Sequence, residues 1–251
     1  MSASVTRLAE AIWVLRSALA VAVLSVGACA TRQQPVSGGL DELHVQYQRA
    51  IQDAAVRHPD WNIALWSFGD SRTVLVSTFT DDPALDTVTQ HNWVAPTAQV
   101  RSSCGGQSDT VLFLERLLGL PPQDKPGVGK RWHVYTFEVS QDAIFRPCPG
   151  GVDSSVPGEP RCIAGSALDP KLDPDTAQFL LKQFWFSHRT AISNDGVCDF
   201  GYPWTAMGWT YNWDPKSKNH IGVSEFVVQK GAVVSDVRDA TPAEFCSARP
   251  F

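Results

Sequence analysis

Apolar and polar residues follow one another in short blocks that predict both helices and strands. Apolar positions at helical spacing predict three helices, over 40–57, 108–118 and 173–188. Alternation with a period of two predicts a strand over 131–139, a hairpin formed by 61–68 and 72–80, and a second hairpin formed by 220–228 and 232–237. The blocks show no regular βαβ rhythm and no repeat, and no linker interrupts them. The sequence therefore predicts a single α+β domain over 40–251, with a mainly antiparallel sheet and a few packed helices.

The N-terminal residues have the pattern of a secretory signal peptide. Arg7 and Arg16 precede an uncharged apolar run, and only twelve residues separate Arg16 from Cys29. A run of that length is typical of a signal-peptide core and is too short to cross a bilayer. The segment 30–39 is polar and rich in Gly and Pro, which is typical of a flexible tether.

The junction "VGAC" at 26–29 resembles the lipobox of bacterial lipoproteins. This resemblance implies a signal peptide over 1–28, cleavage before Cys29, lipidation of Cys29 with palmitate or a similar acyl chain, and a tether over 29–39. Ala30 in the next position implies anchoring in the outer membrane, with the domain in the periplasm. A plain secretory signal followed by an unrelated cysteine, or an uncleaved anchor, is the alternative.

Charge and motifs exclude several classes of function. The formal net charge is -5, and it becomes -6 when residues 1–28 are removed, because they carry two arginines and one glutamate. No run of lysine or arginine is present, so nucleic acid is not an expected partner. The chain has no P-loop, dinucleotide fingerprint, HExxH motif or cysteine spacing typical of zinc, and we expect neither a cofactor nor a metal.

Cysteine usage fits an oxidising compartment. If Cys29 is acylated, an odd number of cysteines remains. The segment between Cys148 and Cys162 is rich in Pro, Gly and Ser, and a disulfide there would stabilise the loop. The predicted pattern is Cys148–Cys162 and Cys198–Cys246, with Cys104 free and a possible nucleophile.

The stretch "GYPWTAMGWTYNWDP" at 201–215 collects five of the chain's Trp and Tyr residues in fifteen positions. In a strand over 209–213, Trp209, Tyr211 and Trp213 would share one face. Such rings suit a sugar or peptide surface, because each combines an apolar face with a hydrogen-bonding edge. We therefore take Trp204, Trp209, Tyr211 and Trp213 as candidate ligand-binding residues, with Trp204 the most exposed; packing in the core is the alternative.

Glu225 is the strongest candidate for acid–base chemistry. Alternation places it on the same face as Val223 and Val227, where an unpaired carboxylate is costly. It is expected either to pair with a cation such as Arg189 or to have a raised pKa. Further candidate catalytic residues near it in the sequence are His188, Asp199 and His220.

Two functions stay open from the sequence. The first is a non-catalytic, membrane-tethered periplasmic module that binds an envelope protein or glycan. The second is a periplasmic hydrolase or transferase that uses Glu225 with a nearby His or Asp. The stretches "RPCP", "LGLPP", "GYPWTAMGWTYNW" and "SEFVV" resemble landmarks of an uncharacterised proteobacterial family of secreted proteins, a resemblance that implies no activity.

Overall fold

The computed structural model describes residues 39–56, 58–80, 88, 90–122, 132–164, 168–188, 190–192 and 198–248. The predicted signal peptide, Cys29 and most of the tether lie outside these residues. Within them, no helix has the length and apolar character needed to cross a bilayer.

Helices form where the sequence supplies local start and stop signals. Asp109 accepts a hydrogen bond from the backbone amide of Leu112 at the start of the central helix, and Gly119 ends that helix with φ at 69°. At the last helix, the side chain of Thr241 and that of Glu244 form a capping box. The helices are α1 (Gly39–Ala54), α2 (Thr97–Ser103), α3 (Thr110–Leu118), α4 (Pro174–His188) and α5 (Pro242–Ser247).

An antiparallel sheet of six strands forms the centre of the fold. Its strands are β1 (Thr73–Thr80), β2 (Asn92–Pro96), β3 (His133–Ser140), β4 (Ile144–Phe145), β11 (Phe226–Val228) and β12 (Val234–Ala240), in the order β12-β3-β1-β2-β11-β4. Three pairs of short strands lie beside it: β5 (Val152–Asp153) with β6 (Arg161–Cys162), β7 (Thr190–Ile192) with β8 (Cys198–Phe200), and β9 (Trp209–Tyr211) with β10 (Ile221–Ser224). The prediction of a single α+β domain with an antiparallel sheet is confirmed.

Both predicted hairpins are wrong. Residues 62–68 form no strand; Leu65 donates one backbone hydrogen bond to the carbonyl of Pro160, at 2.8 Å. In the second case, β11 pairs with β2 and β4, whereas β12 pairs with β3 at the other side of the sheet. Alternation along a strand shows which side chains share a face, but it does not identify the partner strand.

The structure contains two disulfides among the described residues. Cys148 and Cys162 are joined, with their Cα atoms 5.3 Å apart, as predicted. The second bond joins Cys104 at the end of α2 to Cys246 in α5, again with Cα atoms 5.3 Å apart. The predicted Cys198–Cys246 bond and the free Cys104 are therefore wrong, and Cys104 is no candidate nucleophile; the side chain of Cys198 lies outside the described part of the structure.

Buried apolar side chains form three clusters, and each of them contributes residues to the lining of the site described below. One cluster packs α1 and the Cys148–Cys162 disulfide against the aromatic stretch, and its rings include Tyr47, Trp61, Trp209, Tyr211 and Trp213. A second lies on one face of the central strands. The third lies between the sheet, α3 and α5 and contains the Cys104–Cys246 disulfide.

Candidate functional site

All four candidate aromatic residues are buried. Their exposed fractions are 3% for Trp204, 1% for Trp209, 3% for Tyr211 and 3% for Trp213. The prediction that Trp204 is the most exposed of the four is wrong. It assumed a surface turn at Pro203, but Trp204 instead forms a β-bridge with Thr210 and packs against the sheet.

Trp209 and Trp213 are enclosed in the core and are not among the residues that line the cavity described next. The indole N–H of Trp209 donates to the carbonyl of Trp61, at 3.2 Å. The indole of Trp213 donates to the carbonyls of Glu115 and Leu120, at 3.1 and 2.9 Å. Both rings are enclosed and the backbone accepts hydrogen bonds from both N–H groups, so the two side chains are fully used in core packing.

Trp204 and Tyr211, by contrast, help to line a cavity of about 350 Å³. The cavity lies between strands β1 and β2, the turn after α3, and the aromatic stretch. The rings of Phe79, Trp93 and Tyr202 also line it, and the centroids of the Trp93 and Trp204 rings lie 6.2 Å apart. A cavity of this volume, lined by aromatic rings and by several polar side chains, has the usual character of a small-ligand site.

Glu225 lines the same cavity. It is the single residue between β10 and β11, where the chain passes from the two-stranded pair to the six-stranded sheet. Its backbone amide donates to the carbonyl of Gly208 at 2.9 Å, and its Oε1 accepts a hydrogen bond from the indole of Trp204 at 3.2 Å. The main chain and the side chain of Glu225 are therefore both held by the aromatic stretch.

Burial controls the protonation of Glu225. The residue is 7% exposed, and loss of hydration raises the pKa of its carboxyl to about 8, although the hydrogen bond from Trp204 opposes the shift. Burial and the nearby Glu225 charge also raise the pKa of Tyr202. Near neutral pH, Glu225 is therefore mainly protonated and Tyr202 keeps its proton. The raised pKa agrees with one of the two states predicted from the sequence. Pairing with Arg189 stays a prediction, because Arg189 lies outside the described residues.

The other predicted catalytic residues do not join Glu225 in the described structure. His220 stacks on Tyr211, with ring centroids 5.1 Å apart, and its Nδ1 lies 2.9 Å from the carbonyl of Asn212, so it is no part of the cavity lining. The side chains of His188 and Asp199 lie outside the described part of the structure. Of the four candidates, only Glu225 can be placed at the cavity.

Several cavity residues were not predicted from the sequence. Trp93 lies on β2, a strand too short to give a clear alternation, and Gln183 lies on α4. Tyr202 belongs to the aromatic stretch but was not singled out; its hydroxyl donates to Oε1 of Gln183. The one available signal was the density of aromatic residues near 201–215.

We expect the variant Glu225→Gln to change how stability depends on pH. The pKa of Glu225 in the fold is raised to about 8, so between about pH 4.5 and 8 the folded state binds more protons than the unfolded chain. This contribution is fully present below about pH 4.5 and is lost as pH rises through 8. Because glutamine cannot ionise, the variant should gain stability relative to the wild type as pH rises, by up to about 1.4 kcal/mol per pH unit.

Urea unfolding at pH 5, 6.5 and 8 measures this difference. Glu42→Gln, at an exposed position on α1, is the matched control and should run parallel to the wild type. Parallel curves for Glu225→Gln and the wild type would contradict a buried carboxyl with a raised pKa.

Comparison with protein-family models, curated proteins and solved structures finds no match to this chain. The cavity and the groups that line it are therefore the basis for inferring a function.

Proposed function

We propose that this chain is a lipid-anchored protein of the bacterial cell envelope that binds part of an envelope glycan or protein in the cavity beside Glu225. The observation that carries this proposal is the cavity itself, whose lining contains Trp93, Tyr202 and Trp204 together with the buried carboxyl of Glu225. Anchoring through Cys29, at an outer membrane and facing the periplasm, rests on the lipobox at 26–29.

The cavity lining supports recognition of a sugar ring or a peptide segment. Indole and phenol rings offer apolar faces that pack on the C–H surface of a sugar or on an apolar side chain. Asn92 and Gln183 add amide groups that donate and accept hydrogen bonds, and Glu225 in its neutral form adds one donor. Polar groups among apolar walls orient a ligand, because a ligand bound in another orientation leaves these groups buried without hydrogen bonds, at a cost in free energy.

The tether suits a protein that acts on nearby envelope polymers. A flexible chain of the length of 29–39 has a root-mean-square span of about 20 Å. The domain would therefore stay close to the membrane while rotating freely, and the high local concentration would make modest affinity sufficient.

A second candidate, an enzyme, is favoured by one observation. Burial raises the pKa of Glu225 to about 8, so the carboxyl carries a proton near neutral pH and could act as a general acid. Hydrolysis or transfer also needs a base, a nucleophile or a positioned co-substrate. Among the described residues, no second carboxylate and no histidine lines the cavity, and we therefore favour binding.

We expect Trp93→Ala to weaken binding of soluble envelope fragments at least tenfold. Trp93 is a half-buried ring on the cavity wall, and truncation of an aromatic anchor removes a large share of a small interface. Titration calorimetry of the purified protein with glycan and peptide fragments released from the envelope measures the effect. Trp185→Ala is the matched control, since Trp185 is 72% exposed on α4 and is no part of the cavity lining.

Equal binding by the wild type and both variants would place the ligand elsewhere and reject the cavity. The same fragments, analysed after incubation, separate binding from catalysis. Turnover by the wild type that is abolished in Glu225→Gln would establish the enzyme; unchanged fragments support the binding module.

We expect Cys29→Ser to release the protein from the membrane fraction. The substitution removes the acylated thiol that the lipobox predicts, and two acyl signals are needed for stable anchoring. Separation of membrane and soluble fractions, with detection of the chain in each, measures the change. Identical distributions for the wild type and the variant would contradict the lipid anchor.

A further inference from the structure

We propose that the cavity recognises an organic ammonium group, which forms an ion pair with Glu225 in the space lined by the rings of Trp93, Tyr202 and Trp204. This inference rests on the proposed binding function and specifies the chemistry of its ligand. In this proposal, the carboxylate of Glu225 is the charged group of the protein that contacts the ligand.

The first support is the incomplete hydrogen bonding of Glu225. A carboxylate can accept about four hydrogen bonds, whereas the described side-chain donor to Glu225 is the indole of Trp204 on Oε1. No lysine, arginine or histidine is among the described residues that line the cavity. A ligand that brings a cation would supply the partner that the described lining residues do not.

The second support is the physical cost of the charged carboxyl. Burial disfavours the carboxylate, and the pKa of about 8 reflects that cost. A cation in contact with the carboxylate offsets this loss of hydration, since an opposite charge within about 4 to 6 Å favours the ionised form. A neutral ligand does not offset the cost of ionising the buried carboxyl. It would therefore contact Glu225 in its protonated form.

The third support is the aromatic lining. The negative faces of indole and phenol rings attract alkylammonium groups, and rings combined with a carboxylate are a recurrent arrangement for such ligands. Trp93, Tyr202 and Trp204 line the cavity together with Glu225. The formal net charge, -6 once residues 1–28 are removed, also favours the approach of a cation over that of an anion.

Choline and 3,3-dimethylbutan-1-ol form the probe pair for this inference. They have nearly the same shape, but the first carries a permanent positive charge and the second carries none. We expect choline to bind at pH 9 and the alcohol to bind at least tenfold more weakly. Titration calorimetry gives both affinities, and the indole N–H resonance of Trp204 reports directly from the cavity.

The pH dependence gives a second, independent readout. The titratable groups that line the cavity among the described residues are Glu225, Tyr202 and Tyr211, and burial keeps both tyrosines neutral throughout the range tested. Because choline does not titrate, its affinity should rise up to about 100-fold from pH 6 to pH 9 as Glu225 loses its proton. In Glu225→Gln this rise should disappear and the affinity at pH 9 should fall to that of the alcohol.

The outcomes separate the ammonium ligand from the binding function. Equal affinity for choline and the alcohol, or affinity that falls as pH rises, overturns the ammonium group while leaving a cavity that binds neutral ligands. Failure of both probes and of all envelope fragments rejects the binding function itself. If Glu225→Gln does not fold, the probe pair and the pH series on the wild-type protein decide the question alone.

One further arm identifies the source of the ammonium group. Envelope fragments are compared before and after N-acetylation, which converts free amines to neutral amides. Loss of binding after acetylation assigns the group to an envelope polymer. Retained binding to choline, with no binding to either form of the fragments, assigns it to a free small molecule.

Discussion

The close packing of Gly208 on the Cys148–Cys162 disulfide fixes the position of the aromatic stretch, and with it the cavity. Gly208 has a φ of +73°, and a Cβ at this position would lie 2.8 Å from the sulfur of Cys162 and 2.8 Å from Leu65. Only glycine allows this conformation together with this contact. The carbonyl of Gly208 accepts the backbone hydrogen bond of Glu225, at 2.9 Å. The disulfide loop therefore holds the carboxyl in place through one backbone group, although it contributes no side chain to the cavity.

The local features of the fold could be predicted from the sequence, and the long-range ones could not. Asp109 and Gly119 cap the two ends of α3 through hydrogen bonds to residues a few positions away. The local sequence is therefore sufficient to predict where this helix begins and ends. The Cys148–Cys162 bond spans 14 positions, and the Pro-, Gly- and Ser-rich segment between the two cysteines is sufficient to predict it. The Cys104–Cys246 bond spans 142 positions and depends on how α2 and α5 pack. The pairing of β12 with β3 depends in the same way on the tertiary arrangement, which overrides sequence proximity.

In the candidate site, too, the local features could be predicted from the sequence and the long-range ones could not. The apolar neighbours Val223 and Val227 correctly predicted that Glu225 is buried, because a short segment carries that signal. The shared environment of Trp209 and Trp213 was also foreseen, but alternation does not distinguish a face directed to the core from one directed to a ligand. The cavity itself depends on Trp93 from a distant strand, and sequence alone could not bring that residue beside Glu225.

The proposed site depends on a buried carboxyl, that of Glu225, which is neutral near pH 7 and becomes charged only at a cost in free energy. The buried carboxyl lowers the stability of the fold at high pH. Such a loss of stability is typical of functional sites, where residues that serve function are retained although they destabilise the fold. The most direct test is the ¹³C-NMR titration of the Glu225 side-chain carboxyl in the ligand-free protein between pH 4 and pH 10, assigned by the loss of its signal in Glu225→Gln. The account predicts a midpoint at about 8. A midpoint near 4.5, the ordinary value for a glutamate, would contradict it.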